Sequence, residues 1–150
     1  MKKASSQKII YCDSRDKNQA IFGTELKRFD PAIKVSRTYS CEELLYMLYK
    51  HKISPFLIFM NTELQGKDNI ACLKEIKGNA SFRYLPVIML GPNNIGLIKD
   101  SYENGAAFYV IKPSNEKDYQ NIFKKIFSRN WKEDLKKNNK KKFVIEVVGH

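Results

Sequence analysis

The chain has 150 residues, 43% of them hydrophobic and 29% charged, a length that favours one domain and a balance that excludes a disordered chain. Its apolar runs, such as 56–60 and 87–90, fall far short of the roughly 20 residues of a membrane-spanning helix. The basic start, Met1 to Lys8, leads into too few apolar residues for a secretory leader, so a cytosolic (cytoplasmic) protein is expected.

Residues 8–12 form a short apolar run ending at Asp13, which suits a buried strand. Residues 17–29 carry Ala20, Ile21, Leu26 and Phe29 at helical spacing, and Pro31 closes that helix. Residues 34–38 make a second, shorter strand. Ser40 and Glu43 outline a capping box, and their helix runs to about residue 51. Pro55 introduces 56–60, continuously apolar, as a central parallel strand covered on both faces would be. A polar loop at 61–67 contains Gly66, and a helix follows at 68–77 with Ile70, Leu73 and Ile76 along one side. Residues 86–90 make a fourth buried strand and 91–94 a loop. A short helix at 95–103 is closed by Asn104-Gly105, and 107–111 is the fifth strand. Ser114 caps a last helix in which Tyr119, Ile122, Phe123, Ile126, Phe127 and Trp131 share one face, read as core packing. Strands alternating with helices predict a parallel sheet with right-handed crossovers. Any ligand site then lies at the carboxyl ends of the strands.

The three cysteines, Cys12, Cys41 and Cys72, are odd in number and widely spaced, without a CxxC pair or a histidine at ligand spacing. Reduced, buried thiols are expected rather than a disulfide framework or a zinc site. His51 and His150 are isolated, and neither reads as a catalytic base or phosphodonor. The formal net charge of +11 raises nucleic acid or an acidic surface as a partner. Much of that charge sits in the tail, 132–150, where Lys136, Lys137, Lys140, Lys141 and Lys142 read as a solvated run. Residues 143–148 of the tail are strongly β-prone. They are expected to add a strand to a sheet edge, in this chain or in a partner.

The segments Pro55-Phe56-Leu57-Ile58-Phe59-Met60-Asn61, Pro86-Val87-Ile88-Met89-Leu90-Gly91, Gly105-Ala106 and Tyr109-Val110-Ile111-Lys112-Pro113 resemble the receiver domains of bacterial two-component response regulators, over residues 8–131. The Phe127-Ser128-Arg129-Asn130-Trp131 ending is similar to that of stand-alone regulators paired with phytochrome-type histidine kinases. The resemblance implies an α/β, flavodoxin-like (βα)5 doubly wound parallel sheet, strand order 2-1-3-4-5, followed by a basic C-terminal tail at 132–150. In that family a kinase histidine passes a phosphoryl group to an aspartate at the end of the third strand. Two acidic residues after the first strand hold Mg²⁺ with it. A Ser or Thr after the fourth strand and a Lys after the fifth contact the phosphoryl group.

The matching positions here are Asn61 for the acceptor, Cys12 and Asp13 for the acidic pair, Gly91 for the hydroxyl, and Lys112 with Pro113 behind it. Tyr109 matches the family's aromatic switch position. Leu64-Gln65 stands where Met-Pro is usual, and Asn69 where Gly is usual. Asn is tolerable there because it visits left-handed conformations comparatively easily.

These departures have a chemical meaning. An amide has no anionic oxygen to attack phosphorus, so the resemblance implies a degenerate site with no catalytic residue. Mg²⁺ wants charged oxygens in near-octahedral geometry, and only Asp13 and Glu63 offer carboxylates, Glu63 more simply as a solvated loop charge. No cofactor is expected, with Mg²⁺ reserved for the case in which the degenerate site still works. Lys112 is expected to pair with Asp13, directly or through water, with Asn61 hydrogen-bonding between them. Cys12 is read as a small residue closing the first strand, in preference to a redox or metal-responsive thiol activated by Lys112. Without a hydroxyl at Gly91, phosphorylation-driven movement of Tyr109 has no trigger.

The leading expectation is a non-enzymatic pseudo-receiver, independent of phosphorylation and acting through protein–protein contact. Its partner would be a signalling protein such as a histidine kinase or a downstream effector. A homodimer would form through the fourth helix to fifth helix face, which carries Tyr102, Tyr109 and Tyr119, or through the C-terminal strand. A nucleic-acid-associated basic protein ranks second, because no helix-turn-helix or zinc finger follows the domain. A phosphorylatable regulator with an atypical site ranks last, because no aspartate stands at the strand end.

Overall fold

The computed structural model describes residues 7–50, 55–63, 69–128 and 142–146. Strands and helices alternate as β1 (Lys8–Cys12), α1 (Asp16–Phe29), β2 (Lys34–Thr38), α2 (Cys41–Lys50) and β3 (Leu57–Asn61). They continue as α3 (Asn69–Gly78), β4 (Val87–Gly91), α4 (Ile95–Glu103), β5 (Phe108–Ile111) and α5 (Tyr119–Phe127). A sixth strand, β6 (Val144–Ile145), ends the described chain. All pairings are parallel, in the order β2-β1-β3-β4-β5-β6. The expected flavodoxin-like order is therefore present, with β6 added beside β5.

The apolar pattern explains the layering. Every residue of β3 and β4 is buried, because helices cover both faces of these central strands. On one face α2, α3 and α4 close over Ile10, Ile58, Met60, Val87 and Met89. On the other, α1 and α5 close over Tyr11, Phe59, Ile88 and Val110. Burying each such side chain contributes about 1.5–3 kcal/mol. The chain reverses its direction of winding between β1 and β3, which leaves a crevice outside the carboxyl ends of those strands.

Local chemistry fixes the helix ends. Ser40 Oγ accepts from Glu43 N–H, while Glu43 Oε1 reaches back to Tyr39 N–H. Asn94 Oδ1 accepts from Leu97 N–H at the start of α4. At its other end, Gly105 N–H reaches the Tyr102 carbonyl and Ala106 N–H the Ser101 carbonyl, the Schellman arrangement. Gly105 has φ +94°, a conformation that a side chain would disfavour. The start of the last helix differs from expectation. A short 3-10 turn (Glu116–Asp118) precedes α5. Asn115, not Ser114, caps that turn by accepting from Lys117 N–H, and α5 itself starts without a side-chain cap.

The cysteines also depart from the expected reduced thiols. Cys41 and Cys72 form a disulfide, with Cα atoms 5.9 Å apart, and only Cys12 is free. Cys41 opens α2 and Cys72 lies in α3. Both helices pack on the same face of the sheet, which brings together residues 31 apart in sequence. Sequence spacing carries no sign of this, because the contact is made by the fold.

No helix among the described residues is long and apolar enough to cross a membrane. The expectations for His51, Leu64-Gln65, Gly66, Trp131, Lys136, Lys137, Lys140, Lys141, residues 147–148 and His150 lie outside the described residues.

Candidate functional site

Asp13 follows β1, Asn61 ends β3, Gly91 ends β4, and Lys112 follows β5. The four therefore meet at the carboxyl edge of the sheet, as the strand register requires.

Asp13 is fully buried. Its Oδ2 accepts from the Tyr11 hydroxyl at 2.8 Å, from Asn18 Nδ2 at 3.0 Å and from Asn61 Nδ2 at 2.7 Å. Its Oδ1 accepts from Arg15 N–H at 3.0 Å. A carboxylate offers about four lone-pair sites, two on each oxygen; three donors crowd Oδ2 and one reaches Oδ1. Tyr11 reaches Asp13 because residues two apart on a strand share a face. Its ring stacks on Phe22 with centroids 4.0 Å apart. Burial, then the Asp13 charge, raises the Tyr11 phenol far above its ordinary range, so it stays protonated and donates.

Asn61 is buried as well. It gives its amide hydrogen to Asp13 and receives the Glu63 N–H on its oxygen at 2.7 Å. Its backbone carbonyl accepts from Asn69 Nδ2 at 2.7 Å. Asn69 thus has a positive use where glycine is usual. It opens α3 as a helical residue, so the left-handed conformation expected of it is not needed.

Lys112 makes no direct ion pair with Asp13; among the described residues the ion pairs are Arg15–Glu63, Arg28–Glu25 and Lys99–Glu103. Four neutral donors surround the Asp13 carboxylate in its place. Lys112 instead lines a hollow of about 220 Å³ with Lys17, Asn18, Pro113, Ser114 and Tyr119. Glu63 faces Arg15 at 3.6 Å, both about half exposed, which is the solvated loop charge foreseen for it.

Cys12 is buried and donates its S–H to the Ser40 carbonyl at 3.4 Å. Burial pushes its thiol up to about 11, the reverse of what a reactive thiolate needs. It closes β1 as a packed residue.

Gly91 is where the backbone must be bare. A Cβ there would lie under 3.0 Å from both the Thr62 hydroxyl and the Tyr109 hydroxyl. Tyr109 is fully buried and donates to the Pro92 carbonyl at 2.7 Å. Burial raises its phenol above the ordinary range, partly offset by the neighbouring Thr62 hydroxyl. Thr62 Oγ1 is itself buried and accepts or donates no well-directed hydrogen bond.

The surface expected for Tyr102, Tyr109 and Tyr119 is corrected in two of its three residues. Tyr109 and Tyr119 are core. Tyr119 stacks on Phe123 and meets Phe22 edge-on, because the 3-10 turn carries it inward over α1. Tyr102 is half-buried, edge-on to Phe143 with centroids 5.1 Å apart. Pro113 is half-exposed at the rim.

Mg²⁺, which the resemblance brings with it, does not fit this donor set. Among the described residues no group of three or more His, Cys, Asp or Glu side chains converges as a metal site. Asp13 is the one carboxylate buried at this site, and four hydrogen-bond donors already surround it.

Sequence reasoning missed Tyr11, Asn18 and Thr62. The alternation of strand faces would have signalled Tyr11. Asn18 and Thr62 had no such signal.

No family model matches the chain, and no curated protein matches it. Solved structures do. The phosphorylated cyanobacterial phytochrome response regulator RcpA is 24% identical, covers 80% of this chain and 90% of its own, and superposes with TM-score 0.73. The Mn²⁺-bound response regulator Rcp1 is 24% identical, covers 83% and 94%, with TM-score 0.72. The bacteriophytochrome response regulator AtBRR is 23% identical, covers 87% and 92%, with TM-score 0.68. The fold is thus that of response-regulator receiver domains.

Proposed function

We propose that this chain is a receiver-type module of two-component signalling that works by protein–protein contact, without phosphotransfer. Its module spans 8–131 and its basic extension 132–150. Its partner is a cytosolic signalling protein, a histidine kinase or a downstream effector, and it is not itself an enzyme. The fold of its structural neighbours supports the class.

The observation that carries the reading is the closed Asp13 network. In a working acceptor site a carboxylate must attack phosphorus while others hold a cation against the developing charge. Here the amide of Asn61 occupies the acceptor position, and its N–H₂ group donates to the carboxylate that a cation would need. An amide oxygen cannot form the acyl phosphate. What remains is a hydrogen-bonded crevice, suited to presenting a surface. Ile95, 86% exposed at the start of α4, offers an apolar contact on that surface.

The test is intact-mass analysis after incubation with Mg²⁺ and a small phosphodonor. The wild type should gain no phosphoryl group, while Asn61→Asp run in parallel should gain one. A stable phosphoryl adduct on the wild type would overturn the reading.

A further inference from the structure

Tyr109 is enclosed from two sides by features that arise far apart in the sequence. On the β4 side lies the vacancy at Gly91. The Tyr109 hydroxyl and the Thr62 hydroxyl both sit where a side chain at 91 would have to be. Thr62 is held there by its own N–H, which donates to the Leu90 carbonyl at 2.7 Å. The phenol is tied to the Pro92 carbonyl. On the far side lies β6. Tyr109 pairs with Val144 in the ladder, and its N–H donates to the Phe143 carbonyl at 3.0 Å. Phe143 is 4% exposed and belongs to the same apolar cluster as Tyr109. It packs edge-on against Tyr102 of α4.

We infer that Tyr109 is clamped in a single inward position, seated by the missing side chain at Gly91 and walled in by Phe143 of the C-terminal strand, so that the α4–β5 face has one fixed shape. The two halves of the clamp act in the same direction. Any side chain at 91 would compete for the volume of the phenol, so glycine favours the seated ring. Phe143 and Tyr102 fill the outward path, so leaving the seat requires β6 to separate from β5. A β-prone segment at the end of the chain thereby acquires a task within the domain. This goes beyond the loss of phosphotransfer and stands independently of it, because nothing in the clamp involves Asn61 or Asp13. A partner that reads this face would meet the same surface at all times.

The experiment follows the Tyr109 ring by NMR in the full chain, with neither Mg²⁺ nor phosphodonor present. Expected for the wild type are one set of ring signals, cross-relaxation to the Thr62 methyl group, and no microsecond–millisecond exchange. Phe143→Ala should keep the Thr62 cross-relaxation but introduce exchange. Gly91→Ala combined with Phe143→Ala should abolish the cross-relaxation and raise nitration of Tyr109 by tetranitromethane several-fold. A second populated ring position in the wild type would overturn the inference, and that measurement stands even if the Gly91 variant fails to fold. Unchanged ring contacts and nitration in a folded double variant would overturn it equally. Because no phosphoryl group enters, failure here leaves the reading of Asn61 untouched.

Discussion

At the β1–β3 end of the crevice the polar side chains persist and bind one another. At the β4–β5 end the polar side chain is missing, and an aromatic ring has taken its volume. Asp13, Asn61, Tyr11 and Asn18 form a buried hydrogen-bond network, whereas Gly91, Thr62 and Tyr109 form a steric fit with one tie to Pro92. The difference teaches that the two ends of one crevice can be held in two ways, by hydrogen bonds among buried side chains or by close packing. The first should be energetically costly to disturb and the second cheap.

The largest effect should come from removing the centre of the first region. Asp13→Ala strands several buried donors at once, and urea unfolding should show a loss of about 3–5 kcal/mol, the range for an uncompensated buried polar group of this kind. A loss near zero would mean the network is incidental. Reduction of the Cys41–Cys72 disulfide, which bridges α2 and α3 around β3, should cost about 3–4 kcal/mol by release of chain entropy. Thermal unfolding with and without reductant, with Cys72→Ala as control, checks it.

Smaller effects sharpen the contrast. Cys12 rises from its ordinary 9.0 to about 11 through burial, so the folded state holds its proton more tightly than the unfolded state. Its contribution to stability is full below pH 9 and is lost as pH rises through 11, about 2–3 kcal/mol in all. Wild type minus Cys12→Ala stability, measured across that window, should fall with pH; a flat difference would contradict the buried-thiol account. Smallest is Tyr109→Phe, which deletes one hydrogen bond to the Pro92 carbonyl while keeping the ring. It should cost about 1 kcal/mol, well below Asp13→Ala, and a loss as large as that of Asp13→Ala would erase the distinction between the two regions.

Much of the fold was legible in the sequence because its signals are local. The continuous apolar runs at β3 and β4, the Ser40–Glu43 cap and the Asn104-Gly105 stop each encode their own geometry. The positions of Asn61, Asp13, Gly91 and Lys112 followed from the strand ends. What stayed hidden depends on contacts across the sheet. Lys112 was expected to pair with Asp13 directly or through water; no direct pair forms, and the phenol of Tyr11 and the amide of Asn18 donate to the carboxylate. The Cys41–Cys72 bridge needs two helices on one face. Tyr119 sits in the core as its helical stripe predicts, so only its place on the interaction face is lost. The edge strand was expected over 143–148, yet its choice of β5 depends on where Phe143 finds Tyr102.

The most direct measurement is a Mg²⁺ titration of the wild type followed by amide NMR. An Asp13 engaged by four donors, with no second carboxylate converging on it, predicts no site-specific shifts at Asp13, Asn61 or Glu63 through the millimolar range. Saturable shifts clustered at those residues would contradict it, by showing that the carboxylate still has an electron pair to give to a cation.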